Sequence, residues 1–156
     1  MALPYSPRFV LEYNYASGDE NPKDGRRGTF DPMYPTAHDK YGLADQVGWR
    51  NIHDFRTGTE FKPSKKWLVS SFFHDWWLAS PTDALYATTG LPVARSASGT
   101  AGRHVGEEID AQATYTFDKQ LQVGGGFGHI FPGEFLRKTT QGNPYNFPYV
   151  MVGYAF

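Results

Sequence analysis

Apolar and polar residues alternate along six stretches of this chain, at the spacing of β-strands whose two faces meet different surroundings. In the clearest stretch, residues 108–117, the odd-numbered positions are apolar or aromatic and the even-numbered positions are polar. Each stretch has close to the roughly 9–11 residues that a tilted barrel strand needs to cross a bilayer. We predict strands at residues 8–16, 52–61, 67–78, 108–117, 121–131 and 147–156.

The connections between the predicted strands alternate between short and long. Tight turns follow Phe61 and Phe117, whereas long loops cover residues 17–51, 79–107 and 132–145. Short turns at one end and long loops at the other are typical of outer-membrane barrels. The pattern therefore predicts an all-β fold, an antiparallel up-and-down meander of about six strands that forms part of a transmembrane β-barrel.

The two faces of the predicted sheet differ in composition. One face is apolar, with aromatic residues near the strand ends, where a barrel meets lipid headgroups. These residues are Tyr15, Phe61, Trp67, Trp77, Phe117, Phe131, Tyr154 and Phe156. By the same alternation, Phe9, Leu11, Ile109, Val123 and Val152 should face lipid, and Arg56, Glu108 and Asp110 the lumen. A soluble β-barrel that turns its aromatic face inward onto an apolar ligand is the alternative.

Composition and charge narrow the class of protein. Aromatic residues make up 17% of the chain, and cysteine is absent, which excludes disulfides and thiolate metal sites. The net charge of -1 gives no field toward nucleic acid, so we predict no nucleic-acid partner. No apolar run reaches the about 18 residues of a transmembrane helix, and the first ten residues do not resemble a signal peptide. An exported protein needs such a signal, so we expect either no export or a missing N-terminal segment.

The final predicted strand ends on an aromatic residue. Counting back from Phe156, every second residue is apolar: Tyr154, Val152 and Val150. An aromatic C-terminus with this spacing resembles the signal that the outer-membrane barrel assembly machinery reads, which predicts that machinery as a partner. A coincidental edge strand is the alternative.

Several segments of the chain together resemble one family of outer-membrane proteins. They are YNYASGD at 13–19, DGRRGTFDPMYPTAHDKYGLADQVGWRNIHDFRTG at 24–58, WWLASPTDALY at 76–86, GRHVGEEID at 102–110, GHIFPGEFL at 128–136 and the final YNFPYVMVGYAF. Together they resemble the C-terminal part of the alginate-export family of outer-membrane porins. The resemblance implies a barrel of about eighteen strands, a Gram-negative outer membrane with its lipid, and an arginine-rich lumen that passes a polyuronate such as alginate.

The number of strands departs from that family. Six strands cannot close around side chains, since about eight is the practical minimum. We therefore expect a fragment, completed by missing N-terminal strands or by other copies of the chain. A barrel segment that serves as a scaffold in an outer-membrane complex, without transport, is a further alternative.

A diffusive pore selects its solute by charges on the lumen wall and loops. The candidate contacts for an anionic polysaccharide or a small polar solute are Arg56, Arg103, Arg137, Lys138 and His74. Arg56 is the leading candidate because a guanidinium matches a carboxylate bidentately. A structural salt bridge from Arg56 to Asp54, to Glu60 or to a neighbour on an adjacent strand is the alternative.

Catalytic chemistry has little support in the sequence. His38-Asp39 could be read as part of a metal or catalytic cluster, but no known catalytic motif accompanies it, and the other histidines are scattered over several strands. We predict no enzyme activity, no cofactor and no metal site.

Overall fold

A computed structural model describes residues 5–34, 38 and 40–156. Its strands are β1 (Arg8–Ala16), β2 (Ile52–Ser64), β3 (Trp67–Leu78), β4 (Ala84–Tyr86), β5 (Pro92–Arg95), β6 (His104–Thr116), β7 (Leu121–Pro132) and β8 (Tyr145–Tyr154). Six of them form one antiparallel sheet in the order β1-β2-β3-β6-β7-β8, and β4 pairs with β5 in a separate two-stranded sheet. The predicted all-β antiparallel meander is confirmed.

The long loops contain more regular structure than the alternation predicts. The β4–β5 hairpin lies within the stretch 79–107, and one short helix, α1 (Glu134–Thr139), lies within 132–145. Helix α1 is fixed by Phe135, which is fully buried. Among the described residues, no helix is long and apolar enough to span a membrane.

Two strands also extend three or four residues beyond their predicted ends. Strand β2 continues to Ser64, with a register shift after Phe61, because the chain stays paired with β3 through this irregularity. Strand β6 begins at His104, which pairs with Trp77 across a second shift. The period-two pattern breaks at such irregularities, so alternation alone does not detect strand beyond them.

The apolar core lies at the loop end of the sheet. The stretch 41–52 supplies Ala44, Val47 and Ile52, and these residues pack with others from the strands and from α1. The remaining buried members of this cluster are Ala16, Trp76, Leu78, Leu85, Ala101, Val105, Ile130 and Phe135. The loops are therefore folded onto the sheet and onto one another.

Strand register separates the sheet into an inner face and an outer face. Glu12, Arg56, His74 and Glu108 lie opposite one another in successive strands, and we call their side the inner face. The other side, the outer face, carries the residues predicted to face lipid: Phe9, Leu11, Ile109, Val123 and Val152. Phe9 is 80% exposed and Leu11 is 75% exposed. The division of residues between the two faces is as predicted.

Candidate functional site

The inner face of the four strands from β1 to β6 carries a row of ionisable side chains. Register places Glu12 opposite Arg56, Arg56 opposite His74, and His74 opposite Glu108. Asp110 lies two residues further along β6 and therefore on the same face. A sheet face of this kind is typical of a polar barrel lumen and unlike the core face of a soluble sheet.

A segment of the first long loop covers this row. Residues 40–47, which we call the inner-face segment, include the buried residues Leu43 and Ala44. The Leu43 amide donates to Asp110 Oδ2 at 3.2 Å, and the Ala44 amide donates to Glu108 Oε1 at 2.9 Å. Two carboxyl groups of the wall therefore hold the backbone of this segment against the inner face.

Glycines allow this close approach. Gly42 has a φ of 105°, and a Cβ at that position would lie 2.4 Å from Glu108 Oε2. In the neighbouring strand β7, a Cβ on Gly128 would lie 2.8 Å from Glu108 Oε1 and 3.0 Å from Asp110 Oδ1. The glycine-rich stretch of β7 therefore leaves space in which the two carboxyl groups reach the segment.

His74 joins the carboxyl groups of two strands. Its Nδ1 lies 2.9 Å from Asp54 Oδ1, and its Nε2 lies 3.8 Å from Asp110 Oδ2. The side chains of His74 and Asp54 are fully buried. The segment thus seals His74 from solvent in this arrangement, so a contact between His74 and a solute stays a prediction that requires the segment to move.

Arg56 lies at the edge of the covered region. Its guanidinium carbon is 3.7 Å from the centre of the Phe72 ring, and its Nη1 is 3.5 Å from Glu12 Oε2. Glu12 also pairs with Lys40 of the inner-face segment. The salt-bridge partner of Arg56 is therefore Glu12 on the adjacent strand β1, one of the kinds of partner expected from the sequence, and neither Asp54 nor Glu60. The side chain of Arg56 is 14% exposed and that of Lys40 is 34% exposed, so two cations flank one carboxylate at the surface.

The cavity beside Arg56 is small. Its volume of about 10 Å³ lies between the inner-face segment and the strands, next to Arg56, Phe72 and Asp110. A volume of that size holds about one water molecule. A solute therefore has no room beneath the segment, and a contact with Arg56 would have to come from the open side shared with Glu12 and Lys40.

The other predicted cationic contacts lie at the loop end. Arg103 Nη1 donates to the Ala79 carbonyl at 2.8 Å. Arg137 donates to the Pro132 carbonyl, and Lys138 Nζ lies 2.5 Å from Glu134 Oε1. The structure does not bring these three residues together with Arg56 or His74, and their roles as solute contacts stay predictions. His38 pairs with Asp45 at 2.7 Å, and Asp39 lies outside the described residues.

A buried carboxylate, which the sequence analysis missed, organises the loops above the sheet. Asp83 accepts hydrogen bonds from Thr29 Oγ1 at 2.6 Å and from the Asp19 amide at 2.9 Å, and Arg95 Nη2 lies 3.1 Å away. Burial raises the pKa of the Asp83 carboxyl, but these and further hydrogen bonds from Ala84 and Tyr86 outweigh it and lower the pKa overall. Asp83 is therefore charged at neutral pH and ties three loop segments together.

Tyr41 closes the inner-face segment against the sheet. Its side chain is buried and packs near Trp49 at a ring-centre distance of 5.9 Å. Burial raises the pKa of the Tyr41 hydroxyl above its ordinary range, and the negative charges of Asp54 and Glu12 raise it further. Tyr41 therefore stays neutral, and the charges near the segment belong to carboxylates, Lys40 and Arg56.

The sheet, its polar inner face and its apolar outer face agree with one comparison with known proteins. A search of curated proteins finds no match to the chain. The family model described as alginate export matches residues 1–148, nearly the whole chain. Members of that family are outer-membrane proteins with an export or porin-type role. The chain therefore belongs to the alginate export family.

Proposed function

We propose that this chain forms part of the wall of an outer-membrane channel that passes an anionic or polar solute, with a polyuronate such as alginate as the leading candidate. The observation that carries the proposal is the row of ionisable side chains on the inner face, opposite a face of exposed apolar residues. An inward polar face and an outward apolar face are what a water-filled barrel in lipid requires.

The inner-face segment supplies the narrowing element of this channel. It lies on the inner face and is held there by Glu108 and Asp110. Within the described residues, Glu108 Oε2, Asp110 Oδ1 and His74 Nε2 are buried without a hydrogen-bond partner. Unpaired buried polar atoms cost about 1–3 kcal/mol each. We infer that such a cluster is retained because the position of the segment matters for conduction, since stability alone would favour apolar residues.

Exchange of carboxylate partners gives the channel a way to pass an anion. Lys40 and Arg56 share Glu12, whose side chain is 27% exposed. A uronate carboxylate that passes this point has the same chemistry as Glu12 and can replace it as the partner of either cation. Arg103, Arg137 and Lys138 would attract the polyanion toward the loop end before it reaches Arg56.

Completion of the barrel is part of the same proposal. In the described part of the chain, β1 and β8 each pair along one edge only. We propose that further strands, on the same polypeptide or on other copies, pair with these edges. The outer face would then contact outer-membrane lipid, and Phe156 would be the residue that the barrel assembly machinery reads.

Single-channel recording of the complete barrel tests the proposal. Arg56→Glu reverses one charge at the partner-exchange point, where opposite charges about 4 Å apart interact by about 4 kcal/mol at an effective dielectric constant near 20. We expect a marked loss of anion preference, which shrinks at high salt as screening increases. The matched control is Arg26→Glu on the exposed part of the first long loop, which should change the preference far less.

Two outcomes would contradict parts of the proposal. Unchanged anion preference in Arg56→Glu would mean that Arg56 is only a structural partner of Glu12. Absence of any conductance in the intact barrel would favour the non-transporting scaffold. The soluble alternative needs an inward aromatic face, whereas Tyr13, Tyr15 and Phe55 of the outer face are exposed at 62%, 53% and 44%.

A further inference from the structure

Three metal-ligating side chains meet on the outer face, near the loop end of the sheet. His104 Nε2 lies 3.1 Å from Asp75 Oδ1 and 3.9 Å from Glu107 Oε1. One ligand atom from each of the three residues lies within 4.8 Å of the others. Asp75 comes from β3 and the other two from the start of β6, so the cluster bridges neighbouring strands. It is separate from the inner-face row, since the strands lie between them.

The two carboxylates of this cluster lie directly opposite each other, between aromatic residues of the outer face. Asp75 and Glu107 are direct cross-strand partners, and two carboxylates in that position repel each other. The next residues along the same row are Phe55 on β2 and Phe131 on β7, both partly exposed aromatic residues of the outer face. His104 can neutralise at most one of the two carboxylates. The arrangement therefore has fewer positive than negative groups, and a bound cation would offset the repulsion between the two carboxylates.

The imidazole is held in place by its neighbour. The Trp77 ring lies 4.5 Å from the His104 ring, centre to centre, with an angle of 32° between their planes. Both carboxyl groups stand on paired strands, so their separation is limited by the sheet register. The side chains of His104, Asp75 and Glu107 are 23%, 30% and 42% exposed, which leaves the cluster accessible from outside.

We propose that Asp75, His104 and Glu107 bind a zinc ion on the outer face of the sheet. Zinc–ligand bonds of about 2.0–2.1 Å place tetrahedral ligand atoms about 3.3 Å apart. The two measured distances from His104 Nε2 bracket that spacing, so a small adjustment of Glu107 completes the set. Imidazole together with carboxylates suits zinc better than magnesium or calcium, which prefer oxygen ligands alone.

The ion would act as a staple at the loop end of the barrel wall. It would offset the repulsion between Asp75 and Glu107 and tie β3 to β6 just below the stretch 79–103, which connects them through β4 and β5. Three protein ligands leave a fourth position on the outward side. This role is independent of the solute, so the proposed channel function and the zinc site can fail separately.

Titration of the chain with zinc tests the inference. The complete barrel that contains this chain is prepared in detergent without a histidine tag, treated with a chelator and titrated calorimetrically with ZnCl₂. We expect one site per chain, a higher thermal unfolding midpoint with zinc, and no comparable heat with MgCl₂ or CaCl₂. His104→Ala and Glu107→Gln should each weaken the affinity at least ten-fold, the order of loss seen when a metal site is damaged.

The matched control is His129→Ala on the same face. His129 pairs with Asn146 at 2.6 Å and packs on Phe131, but it is not one of the three ligands. Its loss should leave zinc affinity unchanged. Equal affinity in wild type and His104→Ala, or equal losses in His104→Ala and His129→Ala, would overturn the site. Circular dichroism of each variant shows whether the strands are retained. If His104→Ala does not fold, the zinc affinity of Glu107→Gln tests the site in its place.

Discussion

The inner and outer faces of this sheet come from the same strands but follow opposite rules of burial. On the inner face, Asp54, His74 and Glu108 are fully buried. On the outer face, Phe9 and Val152 are 80% and 71% exposed. In a soluble sheet the apolar side would be covered and the charged side would be wet. Burial on this sheet is therefore reversed: a loop covers the ionisable side chains of one face, and the apolar side chains of the other face stay exposed, as expected for a member of an outer-membrane family.

The largest expected effect comes from breaking the buried pair of the inner face. His74→Leu removes the donor to Asp54 and leaves a buried carboxylate, with Asn14 Nδ2 at 3.2 Å as a remaining donor. We expect a loss of about 3–5 kcal/mol in the free energy of unfolding, measured by denaturant titration in lipid vesicles. The double variant Asp54→Leu/His74→Leu removes both groups and should be considerably more stable than His74→Leu. A double variant less stable than the single one would show that the cluster is worth more than its apolar replacement.

The next largest effect is expected from a charge placed on the outer face. Ile109→Lys places a charge near the middle of β6 on the lipid side and should cost about 2–4 kcal/mol in the same unfolding experiment. The matched variant on the inner face is Gln112→Lys, which should cost much less because that side is polar. Equal costs at the two positions would contradict the division of the sheet into a lipid face and a lumen face.

A smaller effect concerns the loops above the sheet and depends on pH. The pKa of Asp83 is lowered in the folded chain, so its stabilisation is present above the ordinary aspartate pKa of about 3.9 and is lost as the pH falls through the lower folded value. We expect the amides of Asp19 and Ala84 to lose hydrogen-exchange protection below about pH 4. Asp83→Asn should already show reduced protection at neutral pH.

The control for that experiment lies at the opposite end of the sheet. Asp118 also has a lowered pKa, because the amides of Gln120 and Leu121 donate to it in the exposed turn between β6 and β7. Asp118→Asn should therefore leave the exchange of the Asp19 and Ala84 amides unchanged. If Asp118→Asn reproduced the effect of Asp83→Asn, the acid response would be global and not a property of the loops.

The strands and their faces could be predicted from the sequence because alternation is a local signal. The sides of Ile109 and Arg56 follow from their position in a run of a few residues. The covering segment could not be predicted in this way. The contact between Leu43 and Asp110 joins residues 67 positions apart, and nothing in the local pattern indicates which loop folds inward. Helix α1 was missed for a related reason, since its six residues depend on burial of Phe135 in a cluster whose other members lie far away in the sequence.

The proposed zinc ligands could not be predicted from local alternation either. Asp75 and Glu107 are far apart in the sequence, and His104 was expected in a loop before the strand. Only the register shift between Trp76 and Trp77 brings His104 opposite Trp77 and close to both carboxylates. A shift of one residue in a strand changes which side chains share a face, and its position is not visible in composition or period.

The long sequence separation of the inner-face contacts also constrains the order in which the chain assembles. The amides of Leu43 and Ala44 need Asp110 and Glu108 as acceptors, and these belong to a strand that follows in the chain by more than sixty residues. Closing so large a loop early is entropically unfavourable, whereas hairpins between consecutive strands form readily. The inner-face segment should therefore dock late, after β6 has joined the sheet. During assembly, the inner face of the sheet would then be uncovered until this segment docks.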